Sequence, residues 1–402
     1  MAKSKPESAS NRGNILNLSL ARNDGFHYNK VVGLNCRWRD ILRPAKPPAT
    51  VPRPTGMREA KTLRNIVHIQ KKLVPDLLQV MQKRYDILHR ILVGGTMGRR
   101  ALAASLELTE RTLRAELDLL REQGLLEVGS SGVTLSEAGR RLIEEMEPIV
   151  KELFGLAELE EAIRRRFNLR KVVVVPGDSD VSDEVKREIG RAGSRVLSQS
   201  LSPGDVVAVM GGTTMAQMAA HFKVSAPLAD NWFVPARGGL GESVEYQANT
   251  IASELAKRTG ARYRMLHVPD HLSEEAYQTM MQEPNVREVV DMIRSARIVV
   301  HGIGDAATMA RRRKLEEGTV RELIADGALA EAFGYYFDRN GAVVHRMATA
   351  GLRLEDIEAA GTVIGLAGGR SKGEAIAAVM RFGHDDVLVT DEAAAEEVLR
   401  RS

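Results

Sequence analysis

The chain has 402 residues, 44% of them hydrophobic, and this length predicts two or three domains rather than one. The sequence contains no run of about 20 apolar residues that could cross a bilayer, and no secretory signal is expected at its start. Its single cysteine, Cys36, excludes an intramolecular disulfide and a cysteine-cage zinc site. We therefore expect a cytoplasmic protein without a bound metal or cofactor.

The net charge of +4 is unevenly distributed along the chain. Residues 1–56 hold ten Lys or Arg and three Asp or Glu, whereas the remaining residues hold 47 basic and 50 acidic side chains. Five prolines crowd positions 44–54, and no helical or strand period is sustained there. We expect residues 1–56 to be a disordered extension, or a start assigned too early with Met57 as the true first residue. A basic tail that adds non-specific DNA affinity is the alternative.

Residues 57–148 have the pattern of a winged helix-turn-helix with leading helices. Between 58 and 82, apolar residues recur every three or four positions, and Pro75 marks the start or a break of the second leading helix. A further apolar face over 85–92 predicts the first helix of the domain, which Gly94 and Gly95 end. A helix over 99–106, a third helix, and two strands within 125–135 joined by a Gly-Ser turn complete the predicted order.

The third helix of this domain carries residues that suit DNA recognition. Thr109 is predicted to cap it, and Leu113, Leu117 and Leu120 face inward, which leaves its arginines on the outer face. The first turns of such a helix reach base edges in the major groove, and arginines that open the preceding helix hold phosphates. The candidate DNA contacts are Arg99, Arg100, Thr109, Arg111, Thr112 and Arg114. The alternative is a domain that contacts protein, with these arginines merely solvated.

Residues 149–168 predict a charged linker or oligomerisation helix whose apolar stripe either packs on its own domain or dimerises. That stripe is Leu153, Leu156, Leu159 and Ile163. Over residues 169–402, short apolar runs alternate with helical patterns, which predicts an α/β fold with an open, mainly parallel sheet covered by helices on both faces. The runs are Val172–Val175, Val206–Met210, Trp232–Pro235, Arg297–Val300, Val363–Leu366 and Val387–Thr390.

Glycine-rich turns follow four of these predicted strands, at 210–214, 235–241, 301–304 and 367–372. The carboxyl ends of parallel strands form one ligand crevice, where glycine lets backbone amides approach an anion and helix N-termini add positive potential. Thr213 and Thr214 add hydroxyl donors, and Arg237 and Lys372 add full charge. The turns therefore predict a site for a phosphorylated small molecule. The alternative is ordinary turn chemistry.

Polar residues near these turns favour a sugar over a nucleotide. None of the turns is a Walker A loop, and Ala307 stands where a dinucleotide fingerprint needs its third glycine. Carboxylates and amides suit a polyol, whose hydroxyls need acceptors. The polar candidates are Gln247, Asn249, Thr250, Asp305, Arg312 and Glu331. As alternatives, Asp305 caps a helix and Arg312 belongs to a solvated basic run over 311–314.

From about Gln70 onward, several segments occur in the order known from one family. The chain resembles the SorC/DeoR family of sugar-binding transcriptional repressors, and within it the regulators of central glycolytic genes. Residues 1–56 fall outside the resemblance. The most specific segments are 70–78, 80–84, 177–180, 211–214, 233–242, 300–304, 331–337 and 389–392.

The resemblance implies a repressor of a glycolytic operon that contains the glyceraldehyde-3-phosphate dehydrogenase gene, released from operator DNA by fructose 1,6-bisphosphate. It implies an effector domain similar to sugar-phosphate isomerases and glucosamine-phosphate deaminases. By position, one phosphate would be held by Gly212, Thr213, Thr214, Ser371 and Lys372. The other end would be held by Arg237 and Gln247, with Arg312, and Glu331 would accept from a sugar hydroxyl. We expect a homodimer or a homotetramer.

Two other functions remain open at the level of sequence. A sugar-phosphate isomerase or deaminase could use His301, Asp305 and Glu331 as acid and base groups, although such an enzyme does not need a winged helix. An activator with the same ligand is also compatible, because the sign of regulation depends on where the operator lies relative to the promoter.

Overall fold

The computed structural model describes residues 73–401, apart from 107, 130–131, 154, 240–242, 271 and 348. The predictions for residues 1–56, and the helical pattern predicted before residue 73, lie outside this part of the chain. Among the described helices, none is long and apolar enough to span a membrane.

The N-terminal part of the described chain is a winged helix-turn-helix, as predicted. Its elements are α1 (Pro75–Gly94), α2 (Arg99–Ser105), α3 (Glu110–Glu122), β1 (Leu126–Gly129), β2 (Gly132–Leu135) and α4 (Glu137–Leu153). Strands β1 and β2 pair antiparallel as the wing. Leucines spaced along α2 and α3, among them Leu102, Leu113 and Leu120, are buried in a core of their own. The apolar period of these helices therefore fixes which face turns inward.

Helix α1 differs from the prediction of separate leading and first helices. Residues 75–94 form one uninterrupted helix, and Pro75 occupies its first turn. Proline is tolerated there because its missing N–H would have no partner within the helix. The sequence pattern placed a boundary near residue 83, where the structure has none.

The segment predicted as one linker helix is divided at Gly155. This glycine has φ of +72°, and α5 (Leu156–Arg166) begins directly after it, so α4 and α5 are separate helices. Leu156 and Ile163 are fully buried in the core beneath the main sheet. The apolar stripe of α5 thus packs on its own domain.

The C-terminal part is built on a seven-stranded parallel sheet in the order β3-β13-β12-β7-β4-β5-β6. Val172 and Val174 of β3 enter the hydrophobic core on one face, and Val173 and Val175 enter the core on the other. A sheet covered on both faces requires continuous apolar runs, which is why the strands were readable from sequence. The strands are β3 (Lys171–Val175), β4 (Val206–Val209), β5 (Trp232–Pro235), β6 (Arg262–Tyr263), β7 (Ile298–Gly302), β12 (Thr362–Leu366) and β13 (Val387–Asp391).

Helices connect and cover this sheet, and those that begin at Thr213, Ala306 and Gly373 lie at or just after glycine-rich turns. The helices of this part are α6 (Asp183–Ser200), α7 (Thr213–His221), α8 (Ala248–Thr259), α9 (Glu274–Met280), α10 (Pro284–Arg294), α11 (Ala306–Arg312), α12 (Glu317–Ala325), α13 (Leu354–Ala359), α14 (Gly373–Phe382) and α15 (Glu392–Arg401). Short 3-10 turns lie over 244–246 and 370–372.

A second, antiparallel sheet was not predicted from the sequence. It has the order β11-β10-β9-β8 and places Glu331 in a tight hairpin. Its strands have two to four residues, too short to show an alternating pattern. They are β8 (Gly304–Asp305), β9 (Ala330–Ala332), β10 (Tyr335–Phe337) and β11 (Val343–Arg346).

Candidate functional site

The outer face of α3 presents the side chains predicted to contact DNA. The hydroxyl of Thr109 accepts a hydrogen bond from the Thr112 N–H at 3.2 Å and caps the helix. Arg111 and Arg114 lie in its first turns, and both line a shallow groove with Arg99 of α2. All six predicted residues are exposed: Arg99, Arg100, Thr109, Arg111, Thr112 and Arg114.

Charge on this face is only partly compensated within the domain. The Arg100 Nε lies 3.4 Å from the Glu110 carboxylate, in a largely exposed pair that contributes little to stability. On the inner side of α3, Glu116 binds Arg84 of α1 at 2.9 Å. Glu116 therefore attaches the inner face of α3 to α1. The outer face of α3 presents arginines suited to phosphates and base edges.

The second site is a cavity at the carboxyl ends of β4, β5, β7 and β12. It brings together residues from all four glycine-rich turns. Of the nine predicted effector residues, eight line it: Gly212, Thr213, Thr214, Arg237, Gln247, Arg312, Glu331 and Lys372. Residues that are up to 160 positions apart in sequence thus share one crevice, as expected for the edge of a parallel sheet.

Ser371 is the predicted residue that the structure places elsewhere. It lies beside an open surface groove, and its N–H and hydroxyl face the Asp180 carboxylate at 2.7 and 3.0 Å. Sequence proximity to Lys372 suggested a shared role, but the 3-10 turn over 370–372 directs neighbouring residues to different sides.

One end of the cavity is built to hold an anion. Gly212 has φ of +132°, a conformation that other residues rarely adopt, and it leads into the N-terminus of α7. The first turn of α7, from Thr213, lines the cavity. Its N–H groups have no partner within the helix, so this end carries positive potential.

Lys372 adds a full charge at the same end. Burial lowers its pKa, and repulsion from Lys186 lowers it further. Within the described part of the chain, Lys372 forms no salt bridge. We call Thr213, Thr214 and Lys372, with Gly212, the open end of the cavity. Its positive charge is available to a ligand.

Opposite charges neutralise each other at the other end. The Arg237 guanidinium donates to Asp270 at 2.9 Å and to Glu331 at 3.3 Å. Arg313 donates to the same two carboxylates, at 3.3 and 2.8 Å. We call Arg237, Asp270, Arg313 and Glu331 the paired end. All four side chains are at most 7% exposed, so each charge depends on its partners.

Glu331 holds the centre of the paired end. Its Oε1 atom also accepts a hydrogen bond from the Gly334 N–H at 2.9 Å, in the turn of the β9–β10 hairpin. Burial raises the pKa of this carboxyl, but attraction to Arg313 and Arg237 outweighs burial and leaves it below the ordinary value. Glu331 is therefore a fixed acceptor, suited to a hydroxyl rather than a phosphate.

Sequence reasoning missed Asp270 and Arg313. Arg313 belongs to the basic run 311–314, which the alternative interpretation of Arg312 treats as solvated, but it lies just after the end of α11 and its side chain turns inward. Asp270 lies in a segment between β6 and α9 that carries no motif. A run of four basic residues does not reveal which one is buried, because that depends on the position of the helix against the sheet.

The acid and base groups considered for an enzyme are not gathered in the cavity. His301 is fully buried, and its Nε2 lies 2.6 Å from Asp385. Asp305 accepts from the Thr308 N–H at 2.8 Å and caps α11, as its alternative interpretation predicted. Among the described residues, no group of acidic, histidine or cysteine side chains is placed to hold a metal ion. Glu331 is left as the acid–base candidate that lines the cavity.

In a comparison with known protein families, both parts of the chain match a family. Residues 80–150 match the CggR N-terminal DNA binding domain, and residues 151–400 match the Sugar-bind family of sugar-binding domains. The chain is therefore a transcriptional regulator with a DNA-binding and a sugar-binding domain.

Whole-chain relatives define the family more closely. The chain is 48% identical to the central glycolytic genes regulator of Priestia megaterium and 44% identical to that of Bacillus subtilis, in each case over 84% of this chain and 99% of the relative. The structure of a SorC family transcriptional regulator from Enterococcus faecalis matches with a TM-score of 0.56 and 41% identity, over 60% of this chain and 99% of that chain. The chain belongs to the family of central glycolytic genes regulators, within the SorC group.

Proposed function

We propose that the protein represses a glycolytic operon and that fructose 1,6-bisphosphate releases it from operator DNA. The observation that carries this proposal is the single cavity that joins the open end, with its unpaired lysine and helix N-terminus, to acceptors at the paired end. The names of the Priestia and Bacillus relatives support glycolytic genes as the target.

A sugar with two phosphates suits this cavity better than a single anion. One phosphate would lie against Thr213, Thr214 and Lys372, at the N-terminus of α7. Gln247 and Glu331 would face the hydroxyls between. The second phosphate would approach Arg312 on the exposed rim and Arg237 behind it.

Release of DNA requires that the sugar bind two states of the protein unequally. A ligand with equal affinity for the DNA-bound and the free form shifts nothing. Allosteric coupling is typically about 1–3 kcal/mol, which would correspond to a change of roughly 5- to 150-fold in operator affinity. We expect the protein to act as an oligomer in the cytoplasm, without a cofactor.

The proposal is tested by fluorescence anisotropy with labelled DNA from the region upstream of the glycolytic operon. Addition of fructose 1,6-bisphosphate should weaken binding, whereas glucose and inorganic phosphate at equal concentration should not. An operator affinity that stays constant at saturating bisphosphate would falsify the ligand assignment. A protein that protects this DNA in a footprint but does not lower transcription from the promoter would contradict repression.

The DNA half is tested separately in the absence of sugar. Arg111→Ala and Arg114→Ala should each weaken operator binding, because each removes one contact to the duplex. Each should also reduce the slope of log binding constant against log salt concentration by about one. Arg121→Ala is the matched control, since this arginine lies in the last turn of the same helix and pairs with Asp118. Equal losses for all three variants would contradict the assignment of the first turns to DNA.

A further inference from the structure

The turn that carries Lys372 is tied to the loop that follows β3. The Asp180 carboxylate accepts from the Ser371 N–H at 2.7 Å. Asp391, fully buried at the end of β13, accepts from both the Ser179 N–H at 2.9 Å and the Gly369 N–H at 2.7 Å. A displacement of the turn at the open end therefore changes the hydrogen bonds of the β3 loop.

The β3 loop continues into α6, and α6 contacts the DNA-binding domain. Glu188 of α6 lies 3.7 Å from His89 of α1, and Glu184 lies 4.0 Å from Arg90. Burial opposes the charge on Glu188, but contact with His89 and attraction to Arg191 keep its pKa below the ordinary value. These partly buried pairs are screened less by salt than surface pairs.

Helix α1 in turn contacts both helices of the helix-turn-helix. Arg84 binds Glu116 of α3 at 2.9 Å, and Arg90 donates to the Ser105 carbonyl at the end of α2 at 3.1 Å. Arg90 thus contacts the sugar-binding domain and the DNA-binding helices at once. Unbroken contacts lead from the open end of the cavity to the DNA-facing helix.

We infer that the contact between α6 and α1 carries the effect of the bound sugar to the DNA-binding domain. This inference rests on the proposed function. A phosphate at Lys372 adds negative charge near the Asp180 carboxylate, repels it and weakens the hydrogen bond that Asp180 accepts from the Ser371 N–H on the other side of the turn. The β3 loop then shifts, and Glu184 and Glu188 withdraw from Arg90 and His89. The contact belongs to the DNA-binding state, and its loss lowers operator affinity.

The test uses the full chain with Glu184→Gln and Glu188→Gln combined. Operator affinity is measured by anisotropy with and without fructose 1,6-bisphosphate, and sugar binding is measured by calorimetry. The double variant should bind the sugar as the wild type does, bind operator about 5-fold more weakly without sugar, and lose most of its response to the sugar. Glu254→Gln is the matched control, because this exposed carboxylate pairs with Arg258 on α8, which the relay does not use.

The outcomes separate the relay from the function on which it rests. A wild type that does not respond to the sugar overturns the proposed function and the relay together. A wild type that responds, with a double variant that responds equally, overturns the relay alone. If the double variant fails to fold, His89→Gln removes the pair with Glu188 from the α1 side, and the response to the sugar should then fall in part. A lowered melting temperature with an unchanged response to sugar also counts against the relay.

Discussion

The two ends of the sugar cavity hold positive charge in different surroundings. At the paired end, Arg237 and Arg313 are buried against Asp270 and Glu331, and the four charges cancel. At the open end, Lys372 is half-buried, and the N-terminus of α7 adds to its charge instead of offsetting it.

This difference indicates that the paired end stabilises the fold, whereas the open end is suited to bind a ligand. Buried charges with partners give a rigid frame, since removal of any one of them leaves another uncompensated. A cation without a partner costs stability when the site is empty and becomes favourable when an anion binds. Under the proposed function, the open end would capture the ligand, and the paired end would shape the wall against which the sugar lies.

The comparison is tested most strongly by removing one cation from each end. Arg237→Met should destabilise the fold by about 3–5 kcal/mol, because the buried carboxylates of Asp270 and Glu331 are then left to share Arg313, with one negative charge uncompensated. Lys372→Met should change the free energy of unfolding by about 1 kcal/mol or less, since no carboxylate is left behind. Urea denaturation followed by circular dichroism measures both. Equal losses would show that the two ends do not differ.

For ligand affinity, the variant at the open end should have the larger effect, whereas for stability the variant at the paired end should. We expect Lys372→Met to weaken fructose 1,6-bisphosphate binding by about 10- to 150-fold, which corresponds to one charge-assisted hydrogen bond of roughly 1.5–3 kcal/mol. Calorimetric titration measures the change, and Lys257→Met controls for loss of general positive charge, because this exposed lysine lies in the last turn of α8. A Lys372→Met protein with wild-type affinity would remove the open end from the site.

The hairpin turn at Gly334 tests how tightly the paired end is packed. Gly334 has φ of +88°, and a Cβ atom there would lie 2.9 Å from the Arg237 guanidinium. Gly334→Ala should therefore cost about 1–3 kcal/mol of stability through backbone strain and displaced packing. Gly318→Ala in α12, where a Cβ meets open space, is the control. A Gly334→Ala protein as stable as its control would indicate that the turn can yield.

Acid should weaken the paired end selectively. The pKa of Glu331 is lower in the folded protein than its ordinary value of 4.5, so the unfolded chain binds more protons around that pH. Its contribution to stability is present above about pH 4.5 and is lost as the pH falls through the folded-state pKa. The stability difference between wild type and Glu331→Gln, measured from pH 7 to pH 3, should shrink with acid. A constant difference would contradict an ionised Glu331.

Alkali should act on the open end with the opposite sign. Burial lowers the pKa of Lys372 below 10.5, so the unfolded chain binds more protons just below that pH and stability rises with pH there. The gain in stability of Lys372→Met over wild type should fall to zero as the pH approaches 10.5. Denaturation midpoints between pH 7 and pH 10 measure this smallest effect, and a gain independent of pH would contradict it.

The sequence by itself determined most strands of the parallel sheet and the sheet edge at which the candidate site lies. Continuous valine runs predicted buried parallel strands, Thr109 predicted its helix cap, and four glycine-rich turns with Lys372 predicted an anion site at one sheet edge. These features depend on local chemistry and on the rule that parallel strands end at a common edge.

Only the tertiary structure decided which charged side chains are buried and paired. Arg313 rather than its neighbours turns inward, Asp270 arrives from a segment without a motif, and Ser371 faces Asp180 instead of the cavity. The contact of α6 with α1 was likewise decided by the tertiary structure alone. Pairing of charges depends on distances between elements far apart in sequence, and periodicity or composition carries no information about those distances.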